Sequence, residues 1–97
     1  MIKRIVKLTF QEDKLADFRE VFEQSKAKIK AFEGCHHVEL LQGLHPNTIF
    51  FTFSIWESEA ALDKYRHSEL FQKTWAKTKV LFAGKPEAWS VDFIDQG

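Results

Sequence analysis

Three consecutive residues, Tyr65, Arg66 and His67, combine a phenol, a guanidinium and an imidazole, which are groups that can donate or accept protons. Successive residues on a helix point about 100° apart, so the three side chains cannot all face one ligand. Tyr65 follows Leu62 by three residues and shares its apolar stripe, whereas Arg66 is expected to point outside. Ser68 can cap a new helix, so we expect a helix break that brings His67 to the rim of a pocket. A solvent-exposed histidine beside a cap explains His67 equally well.

A second group of chemically capable side chains lies in the stretch Cys-His-His-Val-Glu, residues 35–39. Neighbouring strand residues point to opposite faces, so His36 and His37 cannot form a two-histidine metal site, and we expect no metal. His37 and Glu39 share one face and could act as a base and the carboxylate that orients it. A polar strand rim is the simpler interpretation of this pair. The candidate catalytic residues are therefore His67 and His37.

The composition is that of one small folded domain. The chain has 97 residues, 44% hydrophobic and 29% charged, so we treat residues 1–97 as a single domain. Lys plus Arg and Asp plus Glu both number 14, and neither sign forms a block, which argues against nucleic acid or a membrane surface as a partner. Ten Phe and three Trp exceed what one small core readily absorbs. This surplus predicts a second buried surface, most simply that of a homodimer.

The cysteine content and the apolar runs bear on cellular location. The single cysteine, Cys35, excludes an internal disulfide and is compatible with a reducing compartment. The first ten residues contain no seven-residue apolar core of a secretion signal, and no later run has membrane-spanning length. We therefore expect a cytoplasmic protein.

The hydrophobic pattern predicts an alternation of strands and helices. Strands are predicted at residues 2–10, 35–42, 48–56 and 87–94. Helices are predicted at residues 12–32 and 58–82, the second with Ser58 and Ser68 as caps and a break near His67. The resulting order, β-α-β-β-α-β, predicts an α+β ferredoxin-like split βαβ fold, in which a four-stranded antiparallel sheet carries both helices on one face.

The third predicted strand is apolar on both faces. One face carries Phe51, Phe53 and Ile55, and the other carries Phe50, Thr52, Ser54 and Trp56. If the second set lies under the helices, the first set is exposed in a monomer. Burying each of these large side chains is worth about 1.5–3 kcal/mol. Sheet-to-sheet dimerisation into a dimeric α+β barrel is therefore expected.

Several short motifs spread along the chain can be compared with known families. They are Phe32-Glu33-Gly34-Cys35, Glu39-Leu40-Leu41-Gln42, Trp56-Glu57-Ser58, Ala61-Leu62, Tyr65, Ser68 and Phe71. Taken together, they resemble the antibiotic biosynthesis monooxygenase family of small dimeric α+β barrel proteins. The resemblance implies a homodimer with a pocket between helices and sheet. It also implies oxygen chemistry without flavin or metal in some members and oxidative haem breakdown in others.

Cofactor-free oxygenation sets requirements for such a pocket. Triplet oxygen reacts slowly with closed-shell molecules, so the substrate must become electron-rich by losing a proton. The pocket then needs apolar walls, a base or hydrogen-bond acceptor, and a donor that stabilises the oxyanion. In the resemblance, Trp56 matches the family's pocket tryptophan. The candidate substrate-binding residues are Trp56, Tyr65, Phe50, Ser54, Trp75 and Glu39. For Trp56 and Trp75, a purely structural place in the core is the alternative.

The expected function is a monooxygenase that uses dioxygen and no bound cofactor on a small aromatic or quinol-like substrate. The alternative is a non-catalytic dimer that binds a small apolar ligand. Haem binding or degradation is a further alternative. The haem-degrading branch has an axial histidine where this chain has Trp75 and an asparagine near Val6, so His67 would have to act as the iron ligand.

Overall fold

The computed structural model describes residues 1–97 and shows one four-stranded sheet covered by helices. The strands are β1 (Ile2–Thr9), β2 (Cys35–Gln42), β3 (Ile49–Trp56) and β4 (Glu87–Val91). The helices are α1 (Leu15–Lys30), α2 (Glu59–Arg66) and α3 (Glu69–Lys79). The strand order is β2-β3-β1-β4, and every neighbouring pair is antiparallel. The ferredoxin-like βαββαβ architecture is therefore confirmed.

The predicted break in the second helical segment is confirmed. Ser58 accepts a hydrogen bond from the backbone N–H of Ala61 (3.1 Å), and Ser68 accepts one from the backbone N–H of Phe71 (3.1 Å). Each serine thus satisfies a free N–H group at the start of a helix, so α2 and α3 begin separately. No helix in the chain combines the length and the apolarity needed to cross a membrane.

Some element ends differ from the sequence-based prediction. Helix α3 ends at Lys79, three residues before Phe82, because Phe82 instead forms an isolated antiparallel bridge with Phe10. Strand β4 ends at Val91, which pairs with Lys3 close to the start of β1. Both ends are set by pairing with a distant part of the chain, which local periodicity does not contain.

The even-numbered residues of β1 and β3 form the sheet face under the helices. Phe50 and Trp56, both 1% exposed, mark the two ends of this inner face. Around Phe50 the buried core contains Leu8, Phe10 and Phe18. Around Trp56 it contains Ile29 and Leu62. The core is therefore divided into two clusters rather than being continuous.

The opposite, outer face of the sheet is not covered by any element of the chain. It carries the odd-numbered residues of β1 and β3 and, on β2 and β4, the side chains His37, Glu39, Leu41, Trp89 and Val91. Trp89 is 46% exposed and Leu41 is 48% exposed. A large apolar surface is therefore open to solvent in a single chain.

Gly34 lets the start of β2 approach α2 closely. Its φ of +85° lies in the left-handed region that favours glycine, and a Cβ added there would lie 2.6 Å from the Cβ of Ala61. The carbonyl oxygen of Gly34 also accepts a hydrogen bond from the backbone N–H of Glu57 (2.8 Å). This contact joins the start of β2 to the end of β3 beside Trp56.

Candidate functional site

A cavity of about 410 Å³ lies between the inner face of the sheet and the three helices. This volume is within the usual range of small-molecule sites, about 300–1,000 Å³. Most of its lining residues are hydrophobic. The cavity extends along the junction between the two core clusters, where the side chains do not close the space between helices and sheet.

Four aromatic side chains form a continuous row along this cavity. Trp56 stacks on Tyr65 with ring centroids 4.8 Å apart, and Tyr65 meets Phe71 edge to face at 5.3 Å. Phe71 in turn stacks on Trp75 at 5.8 Å. All four residues line the cavity. We call this row the aromatic wall; it offers flat apolar surface to an aromatic ligand.

Trp56 and Ser54 are coupled by a hydrogen bond. The indole Nε1–H of Trp56 donates to the hydroxyl oxygen of Ser54 (3.0 Å), and both residues are buried. The donor of Trp56 is thereby satisfied inside the protein, which fixes the orientation of the ring. Ser54 keeps its own O–H, and both side chains line the cavity.

Tyr65 is an uncharged proton donor in the cavity wall. Burial raises the pKa of the Tyr65 phenol to about 12, and the nearby Cys35 has a smaller effect in the same direction. The phenol therefore stays protonated at neutral pH. Its hydroxyl forms no hydrogen bond within the chain, so it is available to donate to an oxygen atom of a ligand.

Two arginines, Arg4 and Arg66, also border the cavity. Arg4 projects from the inner face of β1, in the row that otherwise contains Ile2, Val6 and Leu8. Burial lowers the pKa of the Arg4 guanidinium, and the positive charge of Arg66 lowers it further. The expectation that Arg66 lies outside the apolar stripe of α2 agrees with its exposure. The residue is exposed at the end of α2, but its long side chain lies at the cavity rim.

His67 lies outside the cavity. Its side chain is 79% exposed, and its Nδ1–H donates to the carbonyl oxygen of Asp63 (2.8 Å). It occupies the C-cap position of α2, so this hydrogen bond satisfies a helix-terminal carbonyl. The alternative interpretation, an exposed histidine beside a cap, matches this placement.

His37 and Glu39 also lie outside the cavity, on the outer face of the sheet. A bulge in β2 between Cys35 and His37 shifts the register, so His37 pairs with Ile55 and Glu39 with Phe53. The two side chains do meet, with His37 Nε2 2.6 Å from Glu39 Oε1. They therefore form the expected pair, but on the wrong side of the sheet to contact a ligand in this cavity.

Of the remaining candidates, Trp56, Tyr65, Ser54 and Trp75 line the cavity together, whereas Phe50 is packed in the core around Phe18. No lining residue carries a carboxylate, an imidazole or a thiol. No group of three or more His, Cys, Asp or Glu residues is arranged to hold a metal ion. The arrangement can thus bind an aromatic molecule and stabilise negative charge, but it contains no strong side-chain base.

Comparison with known proteins agrees with this architecture. The family model for antibiotic biosynthesis monooxygenase matches residues 1–77. A crystal structure of an antibiotic biosynthesis monooxygenase superimposes with a TM-score of 0.91 at 16% identity, covering 98% of this chain and 100% of the other. Rv0793 from Mycobacterium tuberculosis superimposes with a TM-score of 0.88 at 18% identity, covering 98% and 96%.

A conserved protein from Methanosarcina mazei Go1 has the same fold, with a TM-score of 0.88 at 19% identity over 93% of this chain and 89% of the other. No protein of curated function matches the chain. At these identities the structural matches establish the fold, while the family model covers well over half of the sequence. This chain belongs to the antibiotic biosynthesis monooxygenase family.

Proposed function

We propose that this protein is a cofactor-independent monooxygenase that acts on a small aromatic or quinol-like substrate in the cavity between helices and sheet. The observation that carries the proposal is the aromatic wall, in which the phenol of Tyr65 is free to donate a hydrogen bond. Two guanidinium groups border the same cavity. Membership of the family supports oxygen chemistry. Trp56, Ser54 and Trp75 would hold the substrate ring, and Tyr65 would donate to its oxygen.

The reaction can be written without an external reductant. A naphthohydroquinone loses a phenolic proton to water, and the electron-rich anion reacts with dioxygen at a ring carbon. One oxygen atom stays on the ring, and the other leaves as water. A hydroquinone plus O₂ thus gives a hydroxyquinone plus H₂O, with the substrate supplying all four electrons. The phenol of Tyr65 would stabilise the anion through a hydrogen bond to its oxygen.

A non-catalytic role as a binder of small aromatic ligands is the second candidate. It is favoured by one observation, the lack of a carboxylate or imidazole among the lining residues, because acid–base enzymes commonly place such a group beside the substrate. The same cavity residues would bind the ligand in either case. The two candidates differ in whether bound ligand reacts with oxygen.

The residues of this cavity do not fit haem. Haem iron is held by histidine, cysteine, methionine or tyrosine side chains. None of the chain's four histidines, His36, His37, His45 and His67, lines the cavity, and neither does Cys35. Tyr65 lies flat against Trp56, with an interplanar angle of 26°, as part of the aromatic wall. The haem alternative therefore receives no support from the cavity.

The proposed assembly is a homodimer in which the outer sheet faces of two chains pack together. The support is the apolar surface formed by Phe51, Phe53 and Ile55 on β3 and extended by Trp89 and Phe93. Such a surface is larger than scattered single exposed residues, and a second copy would remove it from water. A cytoplasmic location is part of the same proposal.

We expect Tyr65→Phe to lower the catalysed rate of oxygen uptake at least about tenfold, because removing one oxyanion donor costs this much or more. The measurement uses an oxygen electrode and a panel of hydroquinones, with uptake in protein-free buffer subtracted. His67→Ala is the matched control and should leave the rate unchanged, since His67 is exposed outside the cavity. No uptake above buffer by the unmodified protein would remove the enzyme proposal and leave the binder.

A further inference from the structure

The two cavity arginines have no anionic partner in the chain. The ion pairs of the structure all involve lysine or histidine, so neither Arg4 nor Arg66 is neutralised by a carboxylate. The only side-chain hydrogen bond of Arg4 goes from one guanidinium nitrogen to the hydroxyl oxygen of Ser90 (3.1 Å). Since a guanidinium has five N–H donors, most of those on Arg4 are unused.

This arrangement destabilises the folded chain, and no carboxylate within the chain offsets the effect. Arg4 is half-buried in a row of apolar residues, and Arg66 places a second positive charge close enough to lower the pKa of Arg4. Burial of a charge and repulsion between like charges both destabilise the folded chain. An apolar residue at position 4 would continue the row of Ile2, Val6 and Leu8. The unpaired cations therefore point to a ligand outside the chain.

Nearby acidic residues do not change this conclusion. Glu59 and Asp63 border a shallow depression on the other flank of Arg66, together with Ser90. Neither carboxylate forms an ion pair with Arg66, and neither lines the main cavity. The two guanidinium groups are thus the only charged groups that line the cavity.

We propose that the cavity binds an organic anion whose charged oxygen lies between Arg4 and Arg66 while its aromatic ring lies along the aromatic wall. The anionic oxygen belongs either to a carboxylate or to an ionised phenol or enol. The inference rests on the cavity of the proposed function but not on its oxygen chemistry. The two guanidinium groups would also compensate for the lack of a side-chain base in the cavity, because they favour the ionised form of a phenolic substrate.

The test compares ligands of equal size that differ in charge. Isothermal titration calorimetry at low salt measures the binding of 2-naphthoate and of the neutral 2-naphthalenemethanol to the intact protein. We expect 2-naphthoate to bind at least about tenfold more tightly, and its advantage to shrink as salt is added. Arg66→Gln and Arg4→Gln should each reduce the preference. If Arg4→Gln fails to fold, Arg4→Lys takes its place. This variant keeps the charge and should retain most of the preference for 2-naphthoate.

Arg19 provides the matched control, because it is the chain's other arginine and is exposed on α1 away from the cavity. Arg19→Gln should leave the preference intact. An equal loss of the preference in Arg19→Gln and Arg66→Gln would overturn the anion site while leaving the proposed function in place. Catalysed oxygen uptake by a protein that binds neither 2-naphthoate nor 2-naphthalenemethanol would also overturn the anion site and leave the proposed function in place.

The two sources of the anionic oxygen are separated by titrating 2-naphthol over the pH range in which it ionises. Tightening of 2-naphthol binding as it ionises, without a preference for 2-naphthoate, would assign the site to an ionised phenol. A preference for 2-naphthoate would assign it to a carboxylate. Binding of 2-naphthol that stays constant through its ionisation, together with no preference for 2-naphthoate, would overturn the inference.

Discussion

Replacing Trp56 with alanine is expected to lower the free energy of unfolding by about 3–5 kcal/mol, the range for deleting a buried aromatic side chain. Trp56 is 1% exposed, stacks on Tyr65 and packs between Ile29 and Leu62. Its removal would join the space it occupies to the existing cavity, so the helices could not close over it. The variant would also leave Ser54 without its indole donor.

Chemical denaturation at one fixed protein concentration measures this effect, because the stability of an oligomer depends on concentration. The control is Leu44→Ala, at a loop position that is 84% exposed, which should change the free energy of unfolding by no more than about 0.5 kcal/mol. A loss below about 1 kcal/mol for Trp56→Ala would mean that Trp56 does not hold the second core cluster together.

Replacing Phe53 with glutamate is expected to dissociate the proposed homodimer. Phe53 lies in the middle of the outer sheet face, where it pairs with Ile5 on one side and with Glu39 on the other. In the proposed dimer a new carboxylate there would be buried beside Glu39, and Lys3, whose Nζ lies 5.9 Å from the Phe53 ring, would offset only part of a cost of several kcal/mol. A loss of about 3 kcal/mol weakens association more than a hundredfold.

Light scattering coupled to size-exclusion chromatography gives the mass of each form. We expect twice the chain mass of 11.4 kDa for the unmodified protein and a mass near 11.4 kDa for Phe53→Glu. Val80→Glu is the control, because Val80 follows α3 and is already 67% exposed. An unmodified protein that elutes as a monomer, or a Phe53→Glu variant that stays dimeric, would contradict the outer-face interface.

The order of elements and the inner face of β3 could be predicted because they follow from local periodicity. Alternation along residues 48–56 fixes that Phe50 and Trp56 share a face, and two serine caps mark the separate starts of α2 and α3. The family resemblance added the pocket and its tryptophan. These features need no knowledge of distant contacts.

The placement of His37 and Glu39 could not be predicted, because it depends on a bulge. Strict alternation would put His37 on the same face as Cys35, which packs near Trp56 on the inner side. The extra residue in β2 instead brings Val38 to the inner face and turns His37 outward. A one-residue shift thus moved a candidate catalytic pair to the other side of the sheet.

The two cavity arginines differ in whether the direction of their side chains could be predicted from the sequence. Arg4 could have been found, since its alternation with Ile2 and Val6 already placed a cation on the apolar face of β1. Arg66 could not, because the 100° step between neighbours on a helix describes the Cβ direction and not the end of a long, flexible side chain. The exposure of His67 could not be predicted for a different reason, because it depends on how the break between α2 and α3 turns the chain.

Isotope labelling tests whether this cavity performs monooxygenation without a cofactor. Purified protein free of flavin and metal is mixed with 1,4-naphthohydroquinone under ¹⁸O₂, and the product is analysed by mass spectrometry. We expect hydroxynaphthoquinone with one ¹⁸O atom, formed faster than in buffer. The proposed monooxygenation is contradicted if the hydroquinone binds but forms only unlabelled naphthoquinone, with the ¹⁸O in hydrogen peroxide, and no faster than in buffer.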